Sequence, residues 1–317
     1  EKNGVCKSGF LAYCTNPSKV TFPWSMIDKI TPRPDANIEK ILNDDGIEEL
    51  EPVITSKKTY VAPFVNAEEC QYLVIEDAFP NGKPALEKGG IIYTQRETVD
   101  KVEKMKVCTC LNPLHTALAV SGCLLGYTLI SKEMADADLK KMVEIAGYTE
   151  GLPVVVDPKI LSPKQFIDEV VNIRIPNPFM PDTPQRIACD TSQKLSIRFG
   201  ETIKAYQKNG MDLDSLKVIP MVFALWLRYL MAIDDEGKAF ELSPDPLLSQ
   251  VTPVVAGIKL GKTFDVHAVC SKILCREDIF GQDLYKTNIA GKVEKFFAEL
   301  CSGTGAVRRV IHETVSK

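Results

Sequence analysis

The 317-residue chain lacks several features that commonly mark function. It has no Gly-x-Gly-x-x-Gly fingerprint, the turn that holds a dinucleotide pyrophosphate at the start of a helix. It has no Cys-x-x-Cys pair and only three histidines, so we expect neither structural zinc nor another bound metal. The net charge of -4 is mild and no long run of Lys and Arg occurs, which argues against nucleic acid as a partner.

The chain also lacks a signal-peptide pattern, and it begins at Glu1 without a methionine, so we expect that a segment has been removed upstream. Its ten scattered cysteines are typical of buried free thiols in a reducing cytoplasm, where we place the protein. Two apolar stretches, 113–130 and 218–233, contain polar residues or are short. We expect both to form buried helices of a soluble protein rather than membrane spans.

The pattern of apolar residues changes near residue 95 and divides the chain into a mixed part, 1–95, and a helical part, 96–317. In the mixed part we predict a helix over 37–42, extended chain over 30–34, and strands over 59–65, 71–75 and 90–94. In the helical part we predict helices over 97–109, 113–127, 132–146, 163–174, 183–206, 215–234, 244–255 and 283–313. The sequence therefore predicts a mainly α-helical domain that follows the end of an α/β unit.

Near the start of the helical part, one short segment gathers an amine, a carboxamide and an imidazole. Lys106, Asn112 and His115 carry the groups that can take a proton from a secondary alcohol, hold its oxygen and orient it. A lysine that enters an apolar cleft has a lowered pKa, which suits a general base, and the residues after Lys106 are apolar. Glu103 precedes Lys106 by three residues, where it can pair with the amine or pass its proton outward.

Each of these residues also has a plain structural interpretation. Asn112 directly before Pro113 is a good helix N-cap, and a histidine on an apolar helix is more often a hydrogen-bonded core residue. Lys106 and Glu103 can form an ordinary solvated pair on one helix face. The residues alone leave the choice open.

A second cluster lies about seventy residues later. Arg186 and Lys194 are eight residues apart, about two turns of a helix, so both can reach into one cleft. Such cations bind hydroxyl or carboxylate oxygens. The alternative is a solvated cationic helix face with Asp190 as an intrahelical partner.

Motifs in the first part of the chain resemble those of the long-chain mannitol dehydrogenase family, which includes fructuronate and tagaturonate reductases. Residues 22–32, Phe-Pro-Trp-Ser-Met-Ile-Asp-Lys-Ile-Thr-Pro, are similar to the family's Phe-Pro-x-x-Met-Val-Asp-Arg-Ile-Thr-Pro signature. Residues 76–85, Glu-Asp-Ala-Phe-Pro-Asn-Gly-Lys-Pro-Ala, are similar to its Glu-Asp-x-Phe-x-Asn-Gly-Arg-Pro segment.

Motifs in the helical part resemble the same family. Lys106, Asn112 and His115 resemble its catalytic Lys-x-x-x-x-Asn-x-x-His motif, with one extra residue before the asparagine. Either a single π-helical bulge absorbs this residue or the base is a different group. Arg186 and Lys194 have the spacing of the family's two substrate-binding cations.

The resemblance implies metal-independent hydride transfer between NAD or NADP and a secondary alcohol of an acyclic polyol or sugar acid. It implies that Lys106 is the general base, that Asn112 holds the alcohol or developing alkoxide oxygen, and that His115 orients the substrate hydroxyl. Glu103 would conduct the proton. Arg186 and Lys194 would bind other substrate oxygens.

The resemblance also implies a fold. Residues 96–317 would form a helical substrate domain like the carboxyl-terminal domain of 6-phosphogluconate dehydrogenase, and residues 1–95 would be the last α/β part of a Rossmann-type cofactor domain. The rest of that domain would lie upstream and hold most of the NAD or NADP. We therefore expect the 317-residue chain by itself to show no turnover.

Two questions stay open from the sequence. The substrate pair can be mannitol and fructose or mannonate and fructuronate, and the oligomeric state is not readable. The rival interpretation is a non-catalytic sugar-binding or interaction module with the same fold.

Overall fold

The fold is described from a computed structural model that covers residues 2–29, 31, 34–57, 59–68 and 72–317. Most of the predicted extended segment 30–34 and the first residue of the predicted strand 71–75 lie outside these residues. The described part of the chain is rich in helix and has few strands, which confirms the prediction of a mainly helical protein.

In the described residues, the first part of the chain contains a three-stranded sheet, a two-stranded sheet and short helices. Its elements are α1 (Phe10–Cys14), β1 (Ser25–Asp28), α2 (Ala36–Asp44), β2 (Val53–Ile54), β3 (Tyr60–Val61), β4 (Tyr72–Glu76) and β5 (Ile92–Thr94). The order β1-β4-β5 pairs β1 antiparallel with β4 and β4 parallel with β5, with Val74 opposite both Met26 and Ile92. The two-stranded sheet is formed by β2 and β3. Asp35 caps α2 by accepting the N–H of Asn37 at 2.8 Å.

The helical part begins at residue 96 and contains short and medium helices. They are α3 (Arg96–Met105), α4 (Asn112–Leu124), α5 (Ile130–Glu133), α6 (Ala137–Glu144), α7 (Pro163–Glu169), α8 (Pro184–Ile187), α9 (Glu201–Lys208), α10 (Val218–Tyr229), α11 (Leu248–Val255), α12 (Val266–Leu274), α13 (Glu277–Phe280), α14 (Ile289–Leu300) and α15 (Ala306–Val315).

In the described part of the chain, four π-helical segments follow directly on helices or precede them. They are π1 (Lys106–Cys110), π2 (Ile145–Gly151), π3 (Val170–Arg174) and π4 (Ser196–Gly200). π1 packs against both π2 and π4, and α4 packs against π1, π2 and π4. Since single π turns are frequent at functional sites, the start of α4 is a candidate functional site.

Two apolar helices form the centre of the core. Every residue of α10 is buried, and in α4 all residues from Thr116 to Leu124 are buried. The stretch Arg96–Leu124 is long and apolar enough to cross a membrane by length and composition, yet 78% of its apolar window is buried inside the protein. The buried carboxylate of Glu150 caps α10 by accepting the N–H groups of Lys217, Val218 and Ile219.

The prediction of one helix over 183–206 is wrong. The chain leaves α8 after Ile187, and Asp190 adopts a left-handed conformation with φ 53°. Residues far along the chain cause this break, because Pro244 O accepts the Asp190 N–H and Asp245 accepts both the N–H and the hydroxyl of Ser192. These contacts supply the hydrogen bonds that a continuous helix would have made.

Other predicted helices end at different residues in the structure or are divided into two helices. The predicted helix 283–313 is divided into α14 and α15 by a turn in which Gly303 and Gly305 have positive φ. The predicted helix 132–146 is divided between α5 and α6, because the Asp136 side chain caps a new helix start. Helix α12 was not predicted, and the predicted strand 59–65 is reduced to β3.

Candidate functional site

The candidate site lies where α3 gives way to α4. The Leu111 N–H donates to Lys106 O at 3.1 Å, an i to i+5 bond that closes the π1 turn. Leu111 then has φ -133° and ψ -59°, and α4 begins at the next residue. The extra residue between Lys106 and Asn112 thus lies in a π-helical turn, the first of the two alternatives that the sequence left open.

Asn112 is not the N-cap of α4. Leu111 occupies that position, and Asn112 is the first helical residue, followed by Pro113. The structural alternative, in which Asn112 caps the helix, is therefore not the one found. In the described part of the chain the buried Oδ1 of Asn112 has no hydrogen-bond partner, so the carboxamide retains an acceptor for a ligand.

His115 lies on the first turn of α4 and is partly exposed. Desolvation among protein atoms lowers the pKa of its imidazole to about 4, and the nearby cations Arg198, Arg186 and Arg174 act in the same direction, while Asp182 opposes them. The ring is therefore neutral at neutral pH, with one nitrogen a donor and the other an acceptor.

Arg186 is held by a carboxylate one turn earlier. Asp182 is 5% exposed and accepts from the Arg186 Nε at 2.5 Å and from Nη2, which makes a bidentate pair and raises the pKa of the guanidinium. The Arg186 side chain is 52% exposed, so its other N–H groups still face solvent. This pair lies near His115 but is not the intrahelical pairing with Asp190 that the sequence allowed.

Lys194 lies after the break that follows α8. Its Nζ donates to Ile187 O at 3.1 Å and to Cys189 O, so the amine covers the last carbonyl of α8 and a carbonyl two residues beyond it. Burial lowers the pKa of Lys194, and Arg198 and Arg186 add to that effect. The fold therefore brings Arg186 and Lys194 together without the continuous helix that the sequence predicted.

Arg198 belongs to the same neighbourhood and was missed from the sequence. Its Nη1 donates to Thr116 Oγ1 at 2.5 Å and to Asn112 O at 3.5 Å, on the first turn of α4. Burial lowers the pKa of the guanidinium to about 10, so it stays charged at neutral pH. The sequence feature that could have identified Arg198 is its position four residues after Lys194, in a mostly apolar segment.

The predicted site residues fall into two groups. Asn112, His115, Arg186 and Lys194 share one neighbourhood, linked by hydrogen bonds or by mutual electrostatic effects. Lys106 is the first residue of π1 and Glu103 lies on α3, and within the described residues no hydrogen bond joins either side chain to Asn112 or His115.

Metal ligands show no comparable grouping. Among the residues that the structure describes, no cluster of three or more His, Cys, Asp or Glu side chains is placed to hold a metal ion.

This chain is similar to known proteins in sequence. The model of the mannitol dehydrogenase C-terminal domain matches residues 98–301. A D-mannonate oxidoreductase of Thermotoga maritima is 52% identical over 319 aligned residues, which cover 100% of this chain and 59% of the relative. A mannitol 2-dehydrogenase of Phaeosphaeria nodorum is 29% identical, and the alignment covers 91% of this chain and 45% of that protein.

The fold itself is found in a solved structure. The mannitol 2-dehydrogenase of Pseudomonas fluorescens, in a ternary complex with NAD and D-mannitol, superposes with a TM-score of 0.74 at 24% identity. The match covers 95% of this chain and 55% of that one, so the chain spans about half the length of the proteins it resembles. With the family model covering most of the helical part, the chain belongs to the mannitol dehydrogenase family.

Proposed function

We propose that this chain carries the substrate-binding part of an NAD(P)-dependent oxidoreductase, active in the cytoplasm, which interconverts a polyol or sugar acid and its keto form. The observation that carries this proposal is the first turn of α4. There a buried amide oxygen without a partner and a neutral imidazole lie beside several cations. A polyol or sugar acid presents hydroxyl groups that such a set of donors and acceptors can hold.

In this proposal the residues around π1 handle the reacting alcohol. Lys106 takes the hydroxyl proton, and Glu103 passes it outward. Asn112 and His115 hold the oxygen, because fixed polar groups aimed at a developing charge stabilise the transition state more than the ground state. No step requires a metal.

The outer part of the substrate would contact the second cluster. Arg186 retains N–H groups beyond those bound to Asp182, and these can donate to substrate oxygens. Lys194 also fixes the chain after α8, since its Nζ donates hydrogen bonds to the carbonyl oxygens of Ile187 and Cys189.

The glycine-rich fingerprint is absent from the sequence, so we place most of the NAD or NADP contacts outside these 317 residues. The parallel pair β4 and β5 fits the end of a Rossmann-type sheet that precedes a helical domain at about residue 95. Large apolar side chains in this part are exposed and would suit a covering domain, among them Val5, Phe10, Leu11, Phe22, Val53, Ile54 and Val65.

A test uses the protein expressed from its complete coding sequence. We expect it to oxidise D-mannonate or D-mannitol with NAD or NADP, measured by the absorbance of the reduced cofactor as it forms. Lys106→Ala should lower kcat by about 100-fold or more, since a positioned general base contributes roughly that much. The 317-residue chain alone should bind substrate without turnover.

The control is Lys104→Ala, which removes an exposed lysine two residues earlier on α3. We expect it to leave kcat unchanged within a factor of about two. Activity that survives Lys106→Ala would remove Lys106 from the role of base. Absence of any oxidation by the wild-type protein, with retained sugar binding, would favour the non-catalytic module.

A further inference from the structure

Arg198 is a mostly buried arginine that no acidic side chain among the described residues compensates. It lies in π4, which packs against π1 and the first turns of α4. In the described part of the chain no carboxylate forms an ion pair with it, and its hydrogen bonds there go to Thr116 Oγ1 and Asn112 O. A mostly buried charge without a charged partner is costly, so its retention calls for a ligand or another compensating group.

The other cations of the neighbourhood are already compensated. Arg174 pairs with Glu68, and Arg186 pairs with Asp182. Lys194 is satisfied by two backbone carbonyls and feels the exposed Asp190 nearby. Arg198 therefore leaves an excess of positive charge beside Asn112 and His115.

The geometry of the guanidinium leaves donors for a further partner. Both hydrogen bonds of Arg198 come from Nη1, so Nε and Nη2 are not used by the described residues. These two groups form one side of the planar fork that matches the two oxygens of a carboxylate. Arg198 also remains partly exposed, so a small solute can reach it.

We propose that Arg198 binds the carboxylate of an acyclic sugar acid, and that this contact makes the site prefer sugar acids to neutral polyols. This inference rests on the proposed function, because it places the carboxylate within the site formed by Asn112 and His115. It adds a residue that determines specificity. Arg198 contacts the unreactive end of the substrate and takes no part in proton transfer.

The rival role for Arg198 is structural. Through Asn112 O and Thr116 Oγ1 it also supports the first turn of α4. A purely structural arginine would affect sugar acids and polyols equally, because it would act on Asn112 itself. A carboxylate-binding arginine affects only substrates that carry a carboxylate, so the ratio between two substrates separates the roles.

The experiment compares D-mannonate with D-mannitol in the protein expressed from its complete coding sequence. We measure kcat/KM for both compounds and, by calorimetry, the Kd of each. Arg198→Gln should weaken use and binding of D-mannonate by about 10- to 100-fold, the range for losing hydrogen bonds between charged groups. D-mannitol should change less than about 3-fold.

Arg198→Lys provides a second variant that keeps the charge in case the glutamine variant does not fold. It should weaken D-mannonate binding by a smaller factor, about 3- to 10-fold, because lysine lacks the planar fork. Arg309→Gln on α15 is the matched control, since it removes an exposed arginine paired with Glu313. It should leave both substrates unaffected.

Failure of this inference can be told apart from failure of the proposed function. A wild-type protein that oxidises D-mannitol but rejects D-mannonate, or an Arg198→Gln variant that weakens both compounds equally or neither, overturns the role of Arg198 alone. A wild-type protein that turns over neither compound nor their keto forms overturns the proposed function and this inference together.

Discussion

Glu133 shows how a single buried residue can set the pH dependence of this fold. It is 0% exposed, and neither carboxyl oxygen has a hydrogen-bond partner in the described part of the chain. Gly122 makes room for it, since a Cβ there would lie 2.2 Å from Oε1. Burial, followed by the charge of Asp136, raises the pKa of Glu133 to about 9, so the folded protein holds this carboxyl protonated at neutral pH.

Whether a rise in pH stabilises or destabilises the fold follows from the pKa of Glu133 in the folded and in the unfolded chain. The unfolded chain releases this proton near pH 4.5 and the folded chain near pH 9, so stability falls as pH rises between these values, by up to about 1.4 kcal/mol per pH unit. Glu133→Gln removes this titration and should flatten the decline. Urea unfolding at pH 5, 7 and 9 measures the difference, with the exposed Glu241→Gln as control. Parallel curves for wild type and Glu133→Gln would contradict the assignment.

Whereas the pKa of Glu133 is raised in the folded protein, that of His115 is lowered. Its folded pKa of about 4 lies below the ordinary value of 6.5, so the neutral ring favours the folded state above pH 6.5, and this contribution is lost as pH falls towards 4. We expect the His115 ring protons to show no NMR titration between about pH 5.5 and 8. The resonance is identified by its loss in His115→Gln. An inflection near pH 6.5 in that resonance would show that the ring is not desolvated.

At the scale of elements, the π turns depend on close backbone approach. Gly200 ends π4, and a Cβ at this position would lie 2.2 Å from the carbonyl oxygen of Phe280, at the end of α13. The contact joins segments eighty residues apart, so no local pattern could reveal it. It holds the segment that carries Arg198 against the rest of the helical part.

Two glycine substitutions with opposite expected signs test this packing. Gly200→Ala must displace backbone, so it should lower the free energy of unfolding by about 2 kcal/mol. Gly291→Ala, on α14, meets nothing within 4 Å and should raise it by about 0.5 kcal/mol through helix propensity. Denaturant unfolding measures both. Equal effects in the two variants would mean that π4 and α13 are not in close contact.

At the scale of the whole molecule, one buried ion pair ties the first part of the chain to the helical part. Arg174 ends π3 and donates to Glu68 at 2.6 and 3.0 Å, with the two side chains 3% and 7% exposed. The guanidinium also lies over the ring of Phe166 at 5.4 Å. Since Arg174 also influences the His115 ring, this pair connects the site to the segment before β4.

Breaking the ion pair between Arg174 and Glu68 should weaken the attachment of the first part of the chain to the helical part. Glu68→Ala removes a charged partner of a buried guanidinium and should cost about 3 kcal/mol of stability. Limited proteolysis with mass spectrometry should then show faster cleavage before residue 95 than in wild type. Glu87→Ala, an exposed acid in the same part, is the control. Equal cleavage in both variants would show that the pair does not hold the two parts together.

Much of the architecture could be read from local patterns. The buried apolar helices around 113–130 and 218–233 are confirmed, and the resemblance to the mannitol dehydrogenase family is confirmed by the family model and the relatives. The predicted helix 183–206 was wrong because Asp245 and Pro244 draw the chain away at Asp190. The roles of Lys106, Asn112 and His115 in catalysis stay predictions.

The sequence by itself determined the mainly helical character, the family and the residue types available for chemistry, because periodicity and motifs are properties of neighbouring residues. Only the tertiary structure decided which of those residues are engaged. It pairs Arg186 with Asp182, directs the Lys194 amine to the carbonyls of Ile187 and Cys189, and leaves Nε and Nη2 of Arg198 unused by the described residues. Partners of buried charges come from segments distant in sequence, and burial sets the energy of each pairing, so neither follows from local spacing.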